Sequence, residues 1–161
     1  LDRFLLHVPV HYPAAGSERD ILRLARVRAR EELTEHVAPA RLLSQADVFA
    51  ARAQVLDLHL AEGLEEYIVQ LVLATRDPRP FDAKLAGKIA WGASPRATIA
   101  LERSARSRAW LAGRDYVLPE DVQAMAPDVL RHRVLLGYEA EAEGLHVDDV
   151  VARLLERVPL P

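Results

Sequence analysis

Arg96 stands in the stretch Gly92-Ala93-Ser94-Pro95-Arg96-Ala97, where Ser94 can cap a helix and Pro95 can take its first position without losing a hydrogen bond. A cation in that first turn opposes the positive end of the helix dipole, which costs roughly a few tenths of a kcal/mol. An arginine beside several free N–H groups makes chemical sense if the helix end is to grip an anion. The plainer alternative is a long side chain that simply reaches water. Arg3, in Leu1-Asp2-Arg3-Phe4, carries no comparable signal, because the neighbouring Asp2 can pair with it.

Other chemistry finds little support. Neither the GxxxxGK phosphate loop nor GxGxxG occurs, and no HExxH or EF-hand pattern is present. Without cysteine there are no disulfides, thiolate metal sites or cysteine nucleophiles. His7 and His11 would share one face of an extended strand, yet a metal needs further ligands that the sequence does not supply, so both read as incidental. His132 lies between Arg131 and Arg133, whose charges disfavour a metal ion, and it is given no catalytic role. Arg19, Arg23, Arg26 and Arg30 share one helix face, which admits a nucleic-acid reading. Glu31, Glu32 and Glu35 follow directly, and no aromatic residue is there to stack, so a solvated face is the better reading. The acidic Glu139, Glu141 and Glu143 read as a charged loop.

The elements that would position Arg96 are mostly helical. A chain of 161 residues, half of them apolar, has room for one domain and a core that needs no disulfide or metal. The net charge of −3 makes neither nucleic acid nor an anionic membrane an expected partner. No apolar run is long enough for membrane insertion, no signal peptide is visible, and a cytoplasmic location suits such a chain. Phe4 to Val10 reads as a short strand whose partners are missing, and the start at Leu1, just ahead of that apolar run, reads as a cut inside a longer polypeptide.

Helices are expected from Ser17 to about Leu33, ended by the break at Pro39, and from a Ser44–Asp47 cap with Val48, Ala51, Val55 and Leu58 inward. A third runs over Leu64–Thr75. A fourth follows Ser94, with Ala97, Leu101, Ala105, Ala109 and Ala112 inward and Gly113 at its end. A fifth opens at Pro119, with a kink or second start at Pro127, and a last begins near Asp148. Residues 82–91 read as a loop with a short turn. Val134–Leu136 could face Tyr116 and Val117 as a two-stranded pairing.

Seven short pieces follow one another along the chain: Leu1-Asp2-Arg3-Phe4; Tyr67-Ile68-Val69 leading to Ala74-Thr75-Arg76; Gly92-Ala93-Ser94-Pro95-Arg96-Ala97; Gly113-Arg114-Asp115-Tyr116-Val117; Pro119-Glu120-Asp121-Val122; Ala126-Pro127-Asp128-Val129-Leu130-Arg131-His132-Arg133; and Tyr138-Glu139-Ala140-Glu141-Ala142-Glu143-Gly144. As an ordered set they resemble the C-terminal lid of the MoxR family of AAA+ ATPases. The resemblance implies a mainly α fold: a helical lid of five to six helices over residues 14–161, with one short β pairing. Residues 1–13 would then be the end of an ATPase core, with Phe4–Val10 as its last strand. It implies a parent enzyme that hydrolyses ATP with Mg2+, both bound mainly by that core, while the fragment alone is inactive and needs no cofactor.

By the same resemblance Arg96 is the sensor-2 arginine, touching the ATP γ-phosphate of its own subunit or a neighbour. Arg3 is the arginine finger, reaching a neighbouring subunit's ATP. The implied partners are the chain's own core, neighbouring subunits of a homo-oligomeric ring and an unknown client protein, in chaperone-like cycles that mature partners or insert metal. Leu118 departs from the family, which often has a small cap residue such as Thr there. Two alternatives stand beside this reading. One is a free-standing helical adaptor that docks an acidic partner on the Arg19–Arg30 face. The other is a DNA-binding helical domain, against which the negative charge and the lack of a clear recognition helix count.

Overall fold

Apolar residues spaced three and four apart fold as seven helices among the residues that the computed structural model describes, 2–31 and 43–161. In chain order these are α1 (Ala15–Glu31), α2 (Gln45–Asp57), α3 (Glu62–Arg76), α4 (Pro95–Leu111), α5 (Pro119–Leu130), α6 (Tyr138–Ala142) and α7 (Val147–Arg157). Two short strands, β1 (Ile89–Trp91) and β2 (Leu135–Leu136), complete the set. The chain forms two compact units, one of Leu1–Val8 with Phe49–Pro161 and one of Pro9–Val48.

In the unit Pro9–Val48, α1 starts two residues before Ser17, so Ser17 is not its cap. The expected end near Leu33, the Pro39 break, Glu32 and Glu35 lie outside the described residues. Asp47 N–H donates to Ser44 Oγ at 3.1 Å, and Ser44 N–H donates to Asp47 Oδ2 at 2.8 Å, the reciprocal cap expected for α2. None of α2's own residues is buried. Ala51 and Val55 are half-buried, and Leu58 is buried just past the helix end.

The core of the larger unit is built by α3, α4, α5 and α7. Leu64, Ile68, Leu71 and Val72 line the inner side of α3, and Val150, Val151 and Leu154 that of α7. The inner stripe of α4 is Ala97, Ala100, Leu101, Ser104, Ala105 and Ala109. Its small side chains let α5 approach closely with Val122, Ala126, Val129 and Leu130, and α4–α5 is the most extensive helix pair. Burying a leucine such as Leu71, Leu101 or Leu130 stabilises by about 1.5–3 kcal/mol. Ala112, expected in that stripe, is exposed, because α4 stops at Leu111 and Gly113 turns the chain at φ +73°. α5 runs on through Pro127, so no second helix starts there, and Ala126, Val129 and Leu130 around the proline are buried in the core.

The β pairing differs from the one expected. β2 pairs antiparallel with β1, Ile89 opposite Leu136 and Trp91 opposite Leu135. Tyr116 instead bridges to His59, with Val117 N–H donating to His59 O at 3.0 Å. Tyr116 precedes α5 and Leu135 follows it, and twelve helical residues span about 18 Å, which holds the two segments apart. The short turn expected after Asp82 is present as the 3-10 turn Ala83–Leu85, but residues 89–91 are strand rather than loop. Residues 138–142, expected as part of a charged loop, form α6, with Lys88 Nζ on Glu143 at 2.6 Å. Phe4–Val10 is not a strand: among the described residues no neighbouring strand pairs with it, and its first carbonyls meet side chains instead.

Leu118 makes no side-chain cap for α5, and Asp121 takes over part of that task by accepting from Leu118 N–H at 2.9 Å. The buried Asp121 carboxylate also accepts two hydrogen bonds from Arg114, each 2.7 Å, and lies 3.3 Å from Arg108 Nε. Burial works to raise its pKa, but Arg114, the Leu118 N–H and Arg108 outweigh it and hold the carboxyl below the usual range. A carboxylate depressed in this way stabilises the fold above about pH 4, and that contribution fades as the pH falls through the folded-state value. Asp121→Asn, which weakens both bonds from Arg114, should cost about 1.5–3 kcal/mol at neutral pH, the range for hydrogen bonds to a charged group. Melting curves should show the gap between the two proteins closing as the pH drops below about 4.

Candidate functional site

The position of Arg96 is fixed from two sides. Thr75, buried at the end of α3, donates from Oγ1 to Val72 O at 2.6 Å and accepts from Ala93 N–H at 2.9 Å. Arg76 Nε donates to Ala93 O at 2.7 Å, so both backbone groups of the buried Ala93 are held by α3. Gly92 makes this approach possible. A Cβ there would lie 2.5 Å from Thr75 O and 2.7 Å from both Arg76 Cα and N. Because those are backbone atoms, Gly92→Ala should cost about 2–3 kcal/mol and lower the melting temperature by about 5–10 °C, readable by thermal unfolding.

From this anchored loop Ser94 caps α4. Arg96 N–H donates to Ser94 Oγ at 3.3 Å and Ala97 N–H to Ser94 O at 2.9 Å. Pro95 fills the first helical position, and the Arg96 side chain remains 60% exposed. The acid beside it is Asp2, whose Oδ2 lies 3.7 Å from Arg96 Nη1, a loose ion pair at a partly open site. The same oxygen accepts from Ser94 Oγ at 2.9 Å, and Asp2 Oδ1 accepts from Arg133 Nε at 3.2 Å. The Asp2–Arg3 pair that the sequence allows is not formed.

Arg133 organises the N-terminal turn. Its side chain is only 2% exposed, and its guanidinium donates to the carbonyls of Asp2, Phe4, Leu5 and Val129. Burial pulls its pKa below the ordinary guanidinium value against the opposing effect of Asp2. Arg131 Nη1 donates to His7 O at 2.7 Å, while His7 N–H donates to Asp128 O at 2.8 Å. His132 Nε2 lies 3.0 Å from Phe4 O, which places the proton on that nitrogen, and the His7 ring meets it edge-on at 6.0 Å. Burial lowers the His132 pKa; the Phe4 carbonyl works against this, and Arg133's charge adds to it. Arg131, His132 and Arg133, read from the sequence only as a basic run, are thus the clamp for residues 2–7.

Arg3 sits in the clamped turn, exposed, and among the described residues it makes no ion pair or hydrogen bond. Arg3 and Arg96 do not contact each other. Asp2, whose neighbour in the sequence suggests only a local pair, stands between them, bonded in the chain to one and facing the other. Its signal was weak, since an acid next to an arginine suggests a local pair rather than partners 92 and 131 positions away.

No group of three or more His, Cys, Asp or Glu suited to a metal ion occurs among the described residues. Arg19, Arg23, Arg26 and Arg30 are exposed on α1, with Arg23 3.3 Å from Asp20. No described helix is long and apolar enough to cross a membrane.

Residues 83–154 match the AAA lid domain. Over 161 residues, 99% of this chain, the sequence is 37% identical to Chaperone MoxR1 of Mycobacterium tuberculosis, covering 41% of that protein. It is 35% identical to Protein MoxR of Methylorubrum extorquens over 168 residues, 99% of this chain and 49% of that one. A crystal structure of a candidate ATPase from Cytophaga hutchinsonii superposes with a TM-score of 0.89 at 37% identity, over 99% of this chain and 47% of that one. The chain thus spans about half the length of the curated relatives it matches, or somewhat less.

Proposed function

The chain belongs to the MoxR family of AAA+ ATPases and carries their lid domain, and from that premise we propose that it couples the nucleotide state of an ATPase core to a change of shape. Residues 14–161 act as the lid and residues 1–13 as the end of the core. The observation that carries this reading is the presentation of Arg96: an exposed guanidinium on the first turn of a helix whose approach loop is held by Thr75, Arg76 and Gly92. That end of a helix favours anions, and Arg96 adds a full positive charge to it, so these residues fit a phosphate.

Bound ATP with Mg2+, held mainly by the core, supplies the phosphoryl group that is hydrolysed. Arg96 reaches the γ-phosphate, on its own subunit or the neighbour's, and so favours one core–lid angle, a preference lost once that phosphate leaves. Arg3 reaches the nucleotide of the next subunit in a head-to-tail ring and stabilises charge that develops during transfer. The whole protein would use these cycles in a chaperone-like role, maturing a client protein or inserting metal into it. The name of the M. tuberculosis relative, Chaperone MoxR1, supports the chaperone part.

The test is Arg96→Ala in the full-length protein. ATP turnover should fall by about 10- to 100-fold. Stability should stay within about 0.5 kcal/mol, because the side chain is largely exposed and only loosely paired. Unchanged turnover would contradict the phosphate role.

A further inference from the structure

We propose that Asp2 is a positioning residue that couples the finger Arg3 to the sensor Arg96, so that a change at one nucleotide site is passed to the next through a single carboxylate; this rests on the roles given to both arginines above. The geometry behind it is compact. Asp2 accepts from Ser94 Oγ at 2.9 Å, and Ser94 caps the helix on which Arg96 sits two residues later. Its other oxygen accepts from Arg133 Nε at 3.2 Å, and Arg133 is buried in the turn that follows α5.

The remaining donors of Arg133 hold the carbonyls of Asp2, Phe4 and Leu5, the residues around Arg3. The turn bearing Arg3 is therefore tied to the ends of α4 and α5. Arg96 is bound to Asp2 less firmly, at 3.7 Å and in partial contact with water. A phosphate carrying more charge than a carboxylate can draw Arg96 away. Asp2 then keeps its two shorter bonds but loses a cation, and the turn holding Arg3 feels the change.

A cycle of variants in the full-length protein reads this coupling from kcat for ATP hydrolysis. Arg3→Ala, Arg96→Ala and the pair are each made with Asp2 in place and again together with Asp2→Asn. With Asp2 present, the pair should lose at least about fivefold less than the product of the two single losses. With Asp2→Asn the losses should multiply to within about twofold of that product, as for independent sites.

Ser94→Gly gives a second route, since glycine is tolerated at a helix cap and the change removes the one hydroxyl that both meets Asp2 and accepts from Arg96 N–H; it should shrink the coupling in the same direction. Losses that already multiply with Asp2 in place, or a coupling unchanged by both Asp2→Asn and Ser94→Gly, would overturn the proposal while leaving the roles of Arg3 and Arg96 intact. If neither single arginine variant alters turnover, those roles fall and the coupling falls with them.

Discussion

Arg3→Ala in the full-length protein is expected to lower ATP turnover by about a thousandfold, the lower end of what an arginine finger supplies in phosphoryl transfer. Affinity for a non-hydrolysable ATP analogue should change by no more than about threefold, because a finger acts on charge that develops during the reaction rather than on bound nucleotide. The structure makes this a clean experiment. Arg3 is exposed and, among the described residues, makes no hydrogen bond or ion pair, so truncation removes no packing and leaves the melting temperature in place. Arg3→Lys keeps the charge but loses the planar fork, and should recover only a small part of the rate. Steady-state turnover and analogue binding, measured on the same samples, check both halves. A loss in binding with turnover per bound nucleotide preserved would remove Arg3 from the chemistry.

Arg133→Met should have the largest effect on stability, about 2–4 kcal/mol. Methionine nearly fills the space, so the loss is mainly electrostatic. The buried guanidinium satisfies Asp2 and four carbonyls, and without it each of these loses a donor, although Phe4 O keeps His132 Nε2 and the Asp2 carboxylate keeps Ser94 Oγ. The N-terminal turn can lift into water and recover part of the solvation, which keeps the cost below that of a fully enclosed ion pair. That escape gives a second readout. The His7 amide, bonded to Asp128 O, should exchange with solvent much faster in the variant, while amides in the middle of α4 keep their relative protection. Uniform loss of protection along the chain would mean that Arg133 serves the core in general and not the docking of residues 2–7.

The parts of the fold legible in the sequence are those set by local chemistry. Ser94 and Pro95 marked the start of α4, Ser44 and Asp47 that of α2, and Gly113 the end of α4, because caps act within three or four residues. The inner sides of α3 and α7 rest on a pattern of the same short range, apolar residues recurring three and four apart. The pairing of β1 with β2 could not, since strands of three and two residues carry almost no pattern and their partnership depends on where α5 delivers the chain. The N-terminal segment shows the other limit. Its alternating apolar residues suit a strand, but whether a strand forms depends on a neighbour, and here Arg131, His132 and Arg133 take its carbonyls instead. Arg96 could be singled out because a cation at a helix N-terminus goes against the local dipole. Asp2 could not, because its partners are long-range and nothing at its own position is unusual.

The ordered motifs along the chain acquire a physical meaning from this arrangement. Ala74-Thr75-Arg76 and Gly92-Ala93-Ser94 are not separate landmarks; they are two halves of one joint, closed by the Thr75 hydroxyl and the Arg76 guanidinium on the backbone of Ala93. The Asp2-Arg3-Phe4 piece and the Arg131-His132-Arg133 run are likewise two halves of a clamp. Both joints converge on Ser94 and Asp2, and so on the placement of Arg96.

The most direct measurement is a structure of the full-length protein with a non-hydrolysable ATP analogue and Mg2+ bound. The Arg96 guanidinium should have left Asp2 and lie within about 3 Å of a γ-phosphate oxygen, at charge-assisted hydrogen-bond distance. An analogue fully bound with Arg96 still beside Asp2, or turned to solvent, would contradict the sensor role proposed for it.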